Sequence, residues 1–328
     1  MKTPADSPAR VLDAFRAGSR FLITSHVSPD GDAIGSLLGI AHLLRALGKT
    51  DITCVLEDAV PRVYTFLDGA DAIIAPATVN GAVDVAILVD AHAAERSGGV
   101  EPMLRRAKLF IVIDHHLVEK ADGMLQFVDP TYAAAGEMVY DLYALAGATL
   151  SPGAATCIYT AQTTDTGNYR YSNTNARSHR IAASLIEAGV NVRDVTARVI
   201  DTMSRGKYQL LQRVLARIQF LDGGRVAHAD VFDKDLSETG ALAEDTDGLI
   251  NYLRNIEGVR LAMVFRETAD GKTKVSFRTQ PELNAAEICR AFGGGGHAVA
   301  AGATLDSGLA EAKETVLTHL RTQAGLDV

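Results

Sequence analysis

The sequence contains little cysteine and no clustered thiol ligands. Its 328 residues include only three cysteines, Cys54, Cys157 and Cys289, which lie far apart and form no CxxC pair. Neither a disulfide framework nor a thiolate zinc site is therefore expected. This cysteine usage is typical of proteins in a reducing compartment, and we expect the protein to be cytoplasmic.

Long apolar runs and an excess of positive charge are also missing. Charged residues such as Asp6 and Arg10 interrupt the N-terminal stretch where a signal peptide needs an apolar run. The best membrane candidate, GSLLGIAHLLRALG, is broken by His42 and Arg45 before it reaches spanning length. The net charge of −8 argues against a broad basic surface for long nucleic acid. We therefore expect no membrane partner and no long nucleic acid, whereas a local pocket for a short anionic ligand is compatible with the charge.

The first half of the chain alternates apolar runs with helical stretches, the pattern of a mostly parallel sheet flanked by helices. Four runs are almost entirely apolar, as strands buried on both faces should be. They are Arg20 to Thr24, Asp51 to Glu57, Val83 to Asp90 and Lys108 to Asp114. The pattern predicts an α/β fold with polar residues gathered outside the carboxyl ends of the strands.

The second half of the chain changes character. A mainly helical region extends to about Leu221 and includes an amphipathic stretch from Lys207 to Phe220, and strand-like runs return after Gly224. We predict an N-terminal α/β domain over residues 1–189, a helical linker over 190–224 and a smaller α+β domain over 225–328.

The segment SHVSPDGDAIGS, which follows the first strand, puts His26, Asp30 and Asp32 in a turn before a helix. Imidazole and carboxylate ligands suit Mn²⁺, Mg²⁺ or Zn²⁺ rather than a soft metal. Asp30 and Asp32 are two residues apart, so in an extended turn they point to opposite sides and are placed to serve different ions. The alternative is a purely structural turn in which Asp32 is the helix N-cap.

A second cluster, Asp114-His115-His116, ends the fourth strand. Adjacent histidines on an extended chain face opposite ways, so one is suited to a metal and the other to a substrate. Asp90 ends the third strand, and Asp165 follows a later helix, where a structural turn or capping role is the alternative. Six candidate ligands result, enough for two divalent ions: His26, Asp30, Asp32, Asp90, His115 and Asp165.

A third feature is the glycine run in FGGGGHAVAAG, preceded by the strand-like KVSFR. Consecutive glycines let backbone N–H groups approach a phosphate closely, and Arg278 and His297 supply positive charge. The run follows an amphipathic helix, which favours an ordered loop over a flexible linker. We predict that Gly294, Gly295 and Gly296 belong to this phosphate-binding loop.

Together these motifs resemble the DHH phosphoesterase superfamily, specifically its branch of nanoRNases and 3′-phosphoadenosine-5′-phosphate (PAP) phosphatases. SHVSPDGDAIGS, VDVAILVD, IVIDHH and TDTGNYRYSN match the four catalytic-domain motifs in order, and SFRTQ and GGGGHAVAAG match the associated C-terminal domain. The resemblance spans about Phe21 to Leu305. It implies a catalytic DHH domain, a smaller substrate-binding domain, and an active site in the cleft between them.

The resemblance also assigns roles. One ion would take His26, Asp30 and Asp90, and the other Asp32, Asp90, His115 and Asp165, so that Asp90 bridges both. His116 would contact the scissile phosphate, Asp114 would orient a histidine, and a hydroxide between the ions would be the nucleophile. The substrate's other phosphate or terminal nucleotide would lie against the residues of the glycine loop and the strand before it, namely Arg278, Gly294, Gly295, Gly296 and His297.

The sequence departs from the family pattern at Ala161-Gln162-Thr163, where more apolar residues are expected. The departure leaves the chemistry intact and puts the shape of the pocket in doubt.

The activity implied by the resemblance is hydrolysis of very short oligoribonucleotides to mononucleotides and of PAP to AMP. The cofactor implied is a pair of divalent ions, Mn²⁺ first and Mg²⁺ or Co²⁺ as alternatives. Two other hypotheses stay open, an inorganic pyrophosphatase or polyphosphatase and a catalytically silent nucleotide-binding regulator. The sequence does not decide the preferred substrate among nucleotide bisphosphates, nanoRNA and linear or cyclic dinucleotides, nor the cleavage direction, base preference, native metal or oligomeric state, a homodimer being one option.

Overall fold

A computed structural model describes residues 7–79, 81–117 and 121–323. The chain divides into two compact units, Met1–Thr202 and Met203–Val328. Each unit has its own hydrophobic core. Over the residues described, no helix is both long enough and apolar enough to span a bilayer. The domain boundaries predicted at residues 189 and 224 stay predictions.

The first unit is built on a five-stranded sheet in the order β2-β1-β3-β4-β5, with every neighbouring pair parallel. Alternate residues of one strand serve two cores, because Phe21 and Ile23 face one cluster while Leu22 faces the other. The prediction of a mostly parallel sheet flanked by helices is confirmed. The strands are β1 (Arg20–Thr24), β2 (Asp51–Cys54), β3 (Val85–Val89), β4 (Leu109–Asp114) and β5 (Leu125–Val128).

The described residues of the first unit form seven α-helices, and most of the larger ones pack on one face of the sheet. Helix α2 begins immediately after the predicted ligand Asp30, and α5 ends on the predicted ligand Asp165. The helices are α1 (Pro8–Ala17), α2 (Gly31–Ala46), α3 (Glu101–Arg106), α4 (Ala135–Ala146), α5 (Pro152–Asp165), α6 (Ala176–Glu187) and α7 (Val192–Thr196).

The second unit contains a six-stranded mixed sheet in the order β10-β11-β9-β8-β7-β6. Strands β7 and β8 run parallel to each other, and the other neighbouring pairs described in this sheet are antiparallel. Its strands are β6 (Gln219–Leu221), β7 (Val226–Val231), β8 (Leu261–Glu267), β9 (Thr273–Thr279), β10 (Gly295–His297) and β11 (Ala300–Leu305). Its helices are α8 (Arg205–Ala216), α9 (Asp233–Thr239), α10 (Leu249–Arg254), α11 (Ala285–Arg290) and α12 (Leu309–Gln323).

Four elements differ from the sequence prediction. The strand predicted to extend to Glu57 ends at Cys54, and β5 was not predicted at all. The helix predicted to reach Phe220 ends at Ala216, because Phe220 lies in the edge strand β6 and pairs with Ala227. The predicted glycine loop is in part an antiparallel hairpin, since β10 pairs with β11 over Gly295–His297.

The fold collects polar residues at one edge of the first sheet. Strand β1 leads into Ser25 and His26, β3 leads into Asp90, and β4 ends on Asp114. Because parallel strands end at the same edge of a sheet, these residues are brought together although they are far apart in sequence.

Candidate metal centre

Asp30 and Asp32 lie at the start of α2 and are held in different ways. Asp30 is the N-cap, and its Oδ1 accepts hydrogen bonds from the backbone N–H groups of the next turn at 3.0 Å. Asp32 is buried and accepts hydrogen bonds from the backbone N–H groups of Ala135 (2.6 Å) and Gly136 (2.9 Å). The alternative that made Asp32 the N-cap is therefore wrong, because the N-cap is Asp30 and the helix begins at Gly31.

Asp90 has an unusual backbone directly after β3. Its φ of 59° lies in the left-handed region, which Asp and Asn tolerate better than most residues. The backbone is fixed there because the Asp90 N–H donates to the carbonyl of Ile113 at 2.9 Å. Its carboxylate lies between two histidines, with Oδ2 3.4 Å from His26 Nε2 and Oδ1 3.4 Å from His115 Nε2.

Three histidines at the site each have Nδ1 against a fixed oxygen. His26 Nδ1 lies 2.9 Å from the carbonyl of Val27, and His115 Nδ1 lies 3.3 Å from the carbonyl of Tyr132. His116 Nδ1 lies 2.7 Å from Asp114 Oδ1. Because these oxygens accept hydrogen bonds, each contact requires the proton on Nδ1 and leaves Nε2 of His26 and His115 as the nitrogen directed at the aspartates.

The two adjacent histidines do not face opposite ways. Their ring centroids are 4.8 Å apart, and Nδ1 of His116 also lies 3.8 Å from Asp90 Oδ1. The extended-strand geometry assumed from the sequence fails because β4 ends at Asp114 and the chain bends at His116. His116 is thus near the cluster of carboxylates rather than on the far side of the strand.

Asp165 is held by a residue from its own motif. Asn173 Nδ2 lies 3.1 Å from the Asp165 carbonyl oxygen and 3.5 Å from its Oδ2, and it also donates to the carbonyl of Ala133 at 2.9 Å. The Asp165 carboxylate lies 3.5 Å from His115 Nε2. The turn interpretation of Asp165 is therefore incomplete, since its side chain joins the cluster.

The structure brings all six candidate ligands together in groups that could hold metal ions. In each group, one ligand atom per residue lies within 4.8 Å of the others. One group is His26, Asp30 and Asp90, a second is Asp32, His115 and Asp165, and a third is Asp90, His115 and His116. The donor set fits hard or borderline divalent cations. In addition, Oδ1 of Asp90 is buried without a hydrogen-bond partner among the residues that the structure describes.

Burial and mutual proximity shift the ionisation of these groups. Burial lowers the pKa of His26, but Asp90 outweighs it and raises that pKa to about 9. Burial, opposed by His115 and assisted by Asp90, raises the pKa of Asp165 to about 7. Burial also raises the pKa of Asp90, yet the imidazoles of His115 and His26 hold it well below its usual range. Without cations the cluster is therefore balanced by protons on its histidines and on part of its acids.

Two family models match the chain. The N-terminal domain of the DHH family matches residues 20–162, and the DHHA1 domain matches residues 223–325. The chain belongs to the DHH phosphoesterase family. The assignment made from its sequence motifs is confirmed.

This DHH protein is similar to relatives whose function has been named. It is 35% identical to the bifunctional oligoribonuclease and PAP phosphatase NrnA of Thermus thermophilus, over 92% of this chain and 90% of the relative. It is 31% identical to the protein of the same name from Mycoplasma pneumoniae, over 92% of each. Among solved structures, an exopolyphosphatase-related protein from Bacteroides fragilis matches with a TM-score of 0.88 at 25% identity, over 97% of this chain and 98% of that one.

The DHHA1 part of this DHH protein places the predicted substrate residues in one region of its sheet. Arg278 on β9 pairs with Ala300 on β11, which in turn pairs with His297 on β10. A Cβ atom at Gly294 would lie 2.3 Å from the carbonyl oxygen of Gly302, so this close approach requires glycine. The side chain of His297 lies outside the described part of the structure.

Two residues of this DHH protein, His92 and Asn173, make contacts that were not predicted. His92 Nδ1 lies 3.3 Å from Asp114 Oδ2, so Asp114 faces both His92 and His116. The only sequence signal was that His92 follows Asp90 by two residues. Asn173 lies within a recognised motif, but nothing in its spacing indicated that it reaches both Asp165 and Ala133.

Proposed function

We propose that this protein is a divalent-metal-dependent phosphoesterase that hydrolyses very short oligoribonucleotides to mononucleotides and PAP to AMP. The observation that carries the proposal is the pair of ligand groups His26, Asp30, Asp90 and Asp32, His115, Asp165, which Asp90 and His115 connect across 3.4 Å. The named activities of relatives that are 31% and 35% identical across nearly the whole chain support the choice of substrates.

The cofactor we propose is a pair of Mn²⁺ ions, with Mg²⁺ and Co²⁺ as alternatives. His26, Asp30 and Asp90 would hold one ion, and Asp32, Asp90, His115 and Asp165 the other. When bound, such a pair lowers the pKa of water and stabilises negative charge on phosphoryl oxygens. Carboxylate oxygens and imidazole nitrogens are suitable donors for these ions.

The surrounding residues support the reaction by orienting donors. Asp114 accepts a hydrogen bond from His116 Nδ1 at 2.7 Å and thereby fixes the His116 ring. Burial lowers the pKa of His116, but Asp114 and Asp90 outweigh it, so the pKa is raised. A protonated His116 in this position can donate a hydrogen bond to a phosphoryl oxygen and stabilise its developing charge.

The substrate range we propose is short. Arg278 and the hairpin of Gly294, Gly295 and Gly296 would hold a terminal nucleotide or a second phosphate, with His297 adding charge. The net charge of −8 supports a preference against long nucleic acid, because counterion release from many phosphates requires many cationic residues. An open groove of about 350 Å³ along this sheet, lined in part by Lys274, Ser276 and Gly294, has room for a small ligand.

The experiment is a competition of four substrates with the purified protein and Mn²⁺. PAP, a 5′-phosphorylated dinucleotide, a long single-stranded RNA and pyrophosphate are supplied at equal concentrations, and the products are resolved by chromatography over time. We expect AMP from PAP and mononucleotides from the dinucleotide, while the long RNA and pyrophosphate are largely spared. Rapid hydrolysis of pyrophosphate alone would favour the pyrophosphatase hypothesis, and tight nucleotide binding without product would favour a silent regulator.

Matched variants connect this activity to the site. Asp90→Asn removes the shared charge while keeping a residue that tolerates φ of 59°. We expect it to lower kcat/KM more than about 100-fold, since even residues that only orient ligands change activity 10- to 100-fold. Asp71→Asn changes an exposed aspartate and should leave activity unchanged. Substantial turnover by Asp90→Asn at saturating Mn²⁺ would contradict the shared-ligand assignment.

A further inference from the structure

One short backbone segment, Tyr132–Gly136, contacts two of the residues in one ligand group and reaches the third through a side chain. The Tyr132 carbonyl oxygen lies 3.3 Å from His115 Nδ1. The Ala133 carbonyl accepts from Asn173, which also contacts Asp165. The N–H groups of Ala135 and Gly136 bind the carboxylate of Asp32.

The other ligand group is oriented differently. His26 Nδ1 lies against the carbonyl of its own neighbour Val27, and Asp30 caps its own helix. Within the described part of the chain, no side-chain hydrogen bond joins His26 or Asp30 to the segment Tyr132–Gly136. The two ion sites therefore have separate supports, although Asp90 contacts both.

The segment is anchored from outside the site by a polar clamp. Tyr132 Oη donates to Asp141 Oδ2 at 2.6 Å, and Arg177 forms an ion pair with the same carboxylate oxygen. The Arg177 guanidinium also lies over the Tyr132 ring, 4.2 Å from its centroid. Burial, with Asp141, raises the pKa of Tyr132 to about 12, so the phenol keeps the proton it donates. Asp141 lies on α4 and Arg177 on α6, so the clamp ties the segment to two helices.

A second anchor explains the departure from the family pattern at Gln162. Glu137 is buried, and it accepts hydrogen bonds from the Ala133 N–H (3.3 Å) and from Gln162 Nε2 (2.8 Å). Gln162 Nε2 also donates to the carbonyl of Ser178, while its Oε1 accepts from Tyr169 Oη at 3.0 Å. Both the Nε2 and the Oε1 of Gln162 thus have hydrogen-bond partners, and Gln162 supports the segment through Glu137.

We propose that Tyr132, Asp141 and Arg177 are positioning residues that set the affinity of the ion site formed by Asp32, His115 and Asp165 and leave the site formed by His26 and Asp30 unaffected. The inference rests on the proposed divalent-ion function. Its physical basis is that a partner holding Nδ1 of a ligating histidine fixes the direction and tautomer of Nε2. A displaced Tyr132 carbonyl releases His115, and the same displacement moves the amides that hold Asp32.

The test is Mn²⁺ titration by calorimetry of Tyr132→Phe and Arg177→Met. Tyr132→Phe removes only the hydroxyl and keeps the ring and the carbonyl that faces His115. Arg177→Met removes the ion pair and keeps an unbranched side chain beside the ring. We expect each substitution to weaken the binding of one Mn²⁺ ion, which raises its dissociation constant about tenfold, and to leave the dissociation constant of the other ion unchanged. Arg180→Met, on the exposed side of the same helix, is the matched control and should change neither.

Two backgrounds identify which ion responds. With His26→Asn removing one site, Tyr132→Phe should weaken the remaining Mn²⁺ binding about tenfold. With Asp165→Asn removing the other, Tyr132→Phe should have no effect. Thermal melting of the ion-free variants reports any general loss of stability, which a merely structural role would produce without this selectivity.

The outcomes separate this proposal from the proposed function. Three outcomes would overturn the positioning role while leaving metal dependence intact. They are an equal rise of both dissociation constants, an effect of Tyr132→Phe in the Asp165→Asn background, and unchanged binding of both ions. Failure of the unsubstituted protein to bind Mn²⁺ would overturn the metal assignment and the positioning role together.

Discussion

Asp90 combines buried charge and an unfavourable backbone in a single residue. Its left-handed φ costs about 1 kcal/mol or more, and strain of this kind persists only where neighbours fix the conformation. The hydrogen bond from its N–H to Ile113 does so here. In this conformation the two carboxylate oxygens face different histidines, His26 and His115.

His116 belongs to one of the groups that could hold an ion, together with Asp90 and His115. Its Nδ1 lies 3.8 Å from Asp90 Oδ1 but only 2.7 Å from Asp114 Oδ1. Asp114 holds Nδ1 and leaves Nε2 of His116 available, and the role proposed above assigns that nitrogen to the substrate. We therefore expect His116→Asn to lower kcat about 100-fold or more, in the range of a lost proton donor, with Mn²⁺ affinity preserved. Steady-state kinetics and calorimetry of the same preparation give the two values.

The control for this variant is His319→Asn, which removes a histidine from α12 in the other unit. Neither its kinetics nor its Mn²⁺ binding should change. If His116→Asn lost kcat and Mn²⁺ affinity together, His116 would be an ion ligand and the role assigned to it would be wrong.

Individual site residues were predictable where a motif followed a strand. His26, Asp90 and His115 stand at strand ends, and the parallel topology alone brings such residues to one edge. The partners that orient them were not predictable, because Asn173 and the carbonyl of Tyr132 reach the site through turns whose path depends on tertiary packing. Gln162 was recognised as unusual, but its partner Glu137 lies 25 residues away in the sequence and was not identified.

Helices α2 and α5 approach unusually closely, and this approach places Asp32 opposite Asp165. A Cβ atom added at Gly35 would lie 2.3 Å from the carbonyl oxygen of Cys157 and 2.9 Å from Ala161 Cβ. We expect Gly35→Ala to reduce the free energy of unfolding by about 1–3 kcal/mol, because backbone cannot yield as a side chain can. The change should also weaken Mn²⁺ binding, since it separates the helices that carry two ligands.

Urea unfolding and Mn²⁺ calorimetry test this expectation. Gly308→Ala is the control, because an added Cβ there meets nothing within 4 Å. At position 35, inside α2, helix propensity alone would favour alanine over glycine by about 1 kcal/mol. If Gly35→Ala were as stable as the unsubstituted protein or more stable, the packing of α2 on α5 would have room for a Cβ atom at this position.

The fold was predictable where strands are continuously apolar. Every residue of β3 is buried, and the continuously apolar run VAILV predicts such a strand. Strand β5 was not predicted because it has only four residues, at the edge of the sheet, and their burial alternates. The hairpin of β10 and β11 was not predictable because glycine and alanine have low β propensity. In the structure β11 pairs with β9 as well as with β10.

The molecule as a whole carries a charge of −8, and its most concentrated acids lie in the first unit. Without ions, the positive charge that balances them comes from protonated histidines. Burial lowers the pKa of His115, but Asp90, Asp165 and Asp32 outweigh it and raise it well above its usual value. Protons on the histidines therefore balance part of the negative charge that divalent cations would otherwise balance.

Uptake of Mn²⁺ should consequently release protons. With a pKa of about 9, His26 is protonated at pH 7, and a ligating imidazole must be neutral. For each proton that Mn²⁺ displaces, the apparent affinity for Mn²⁺ falls about tenfold for every pH unit below the pKa of the displaced group. Calorimetric heats of Mn²⁺ binding should therefore differ between Pipes and Tris in proportion to their ionisation enthalpies.

His26→Asn should lower the number of protons released by about one, because the group that must deprotonate is gone. Identical heats in the two buffers would mean that the histidines are already neutral in the ion-free protein, and that its acids are balanced in some other way.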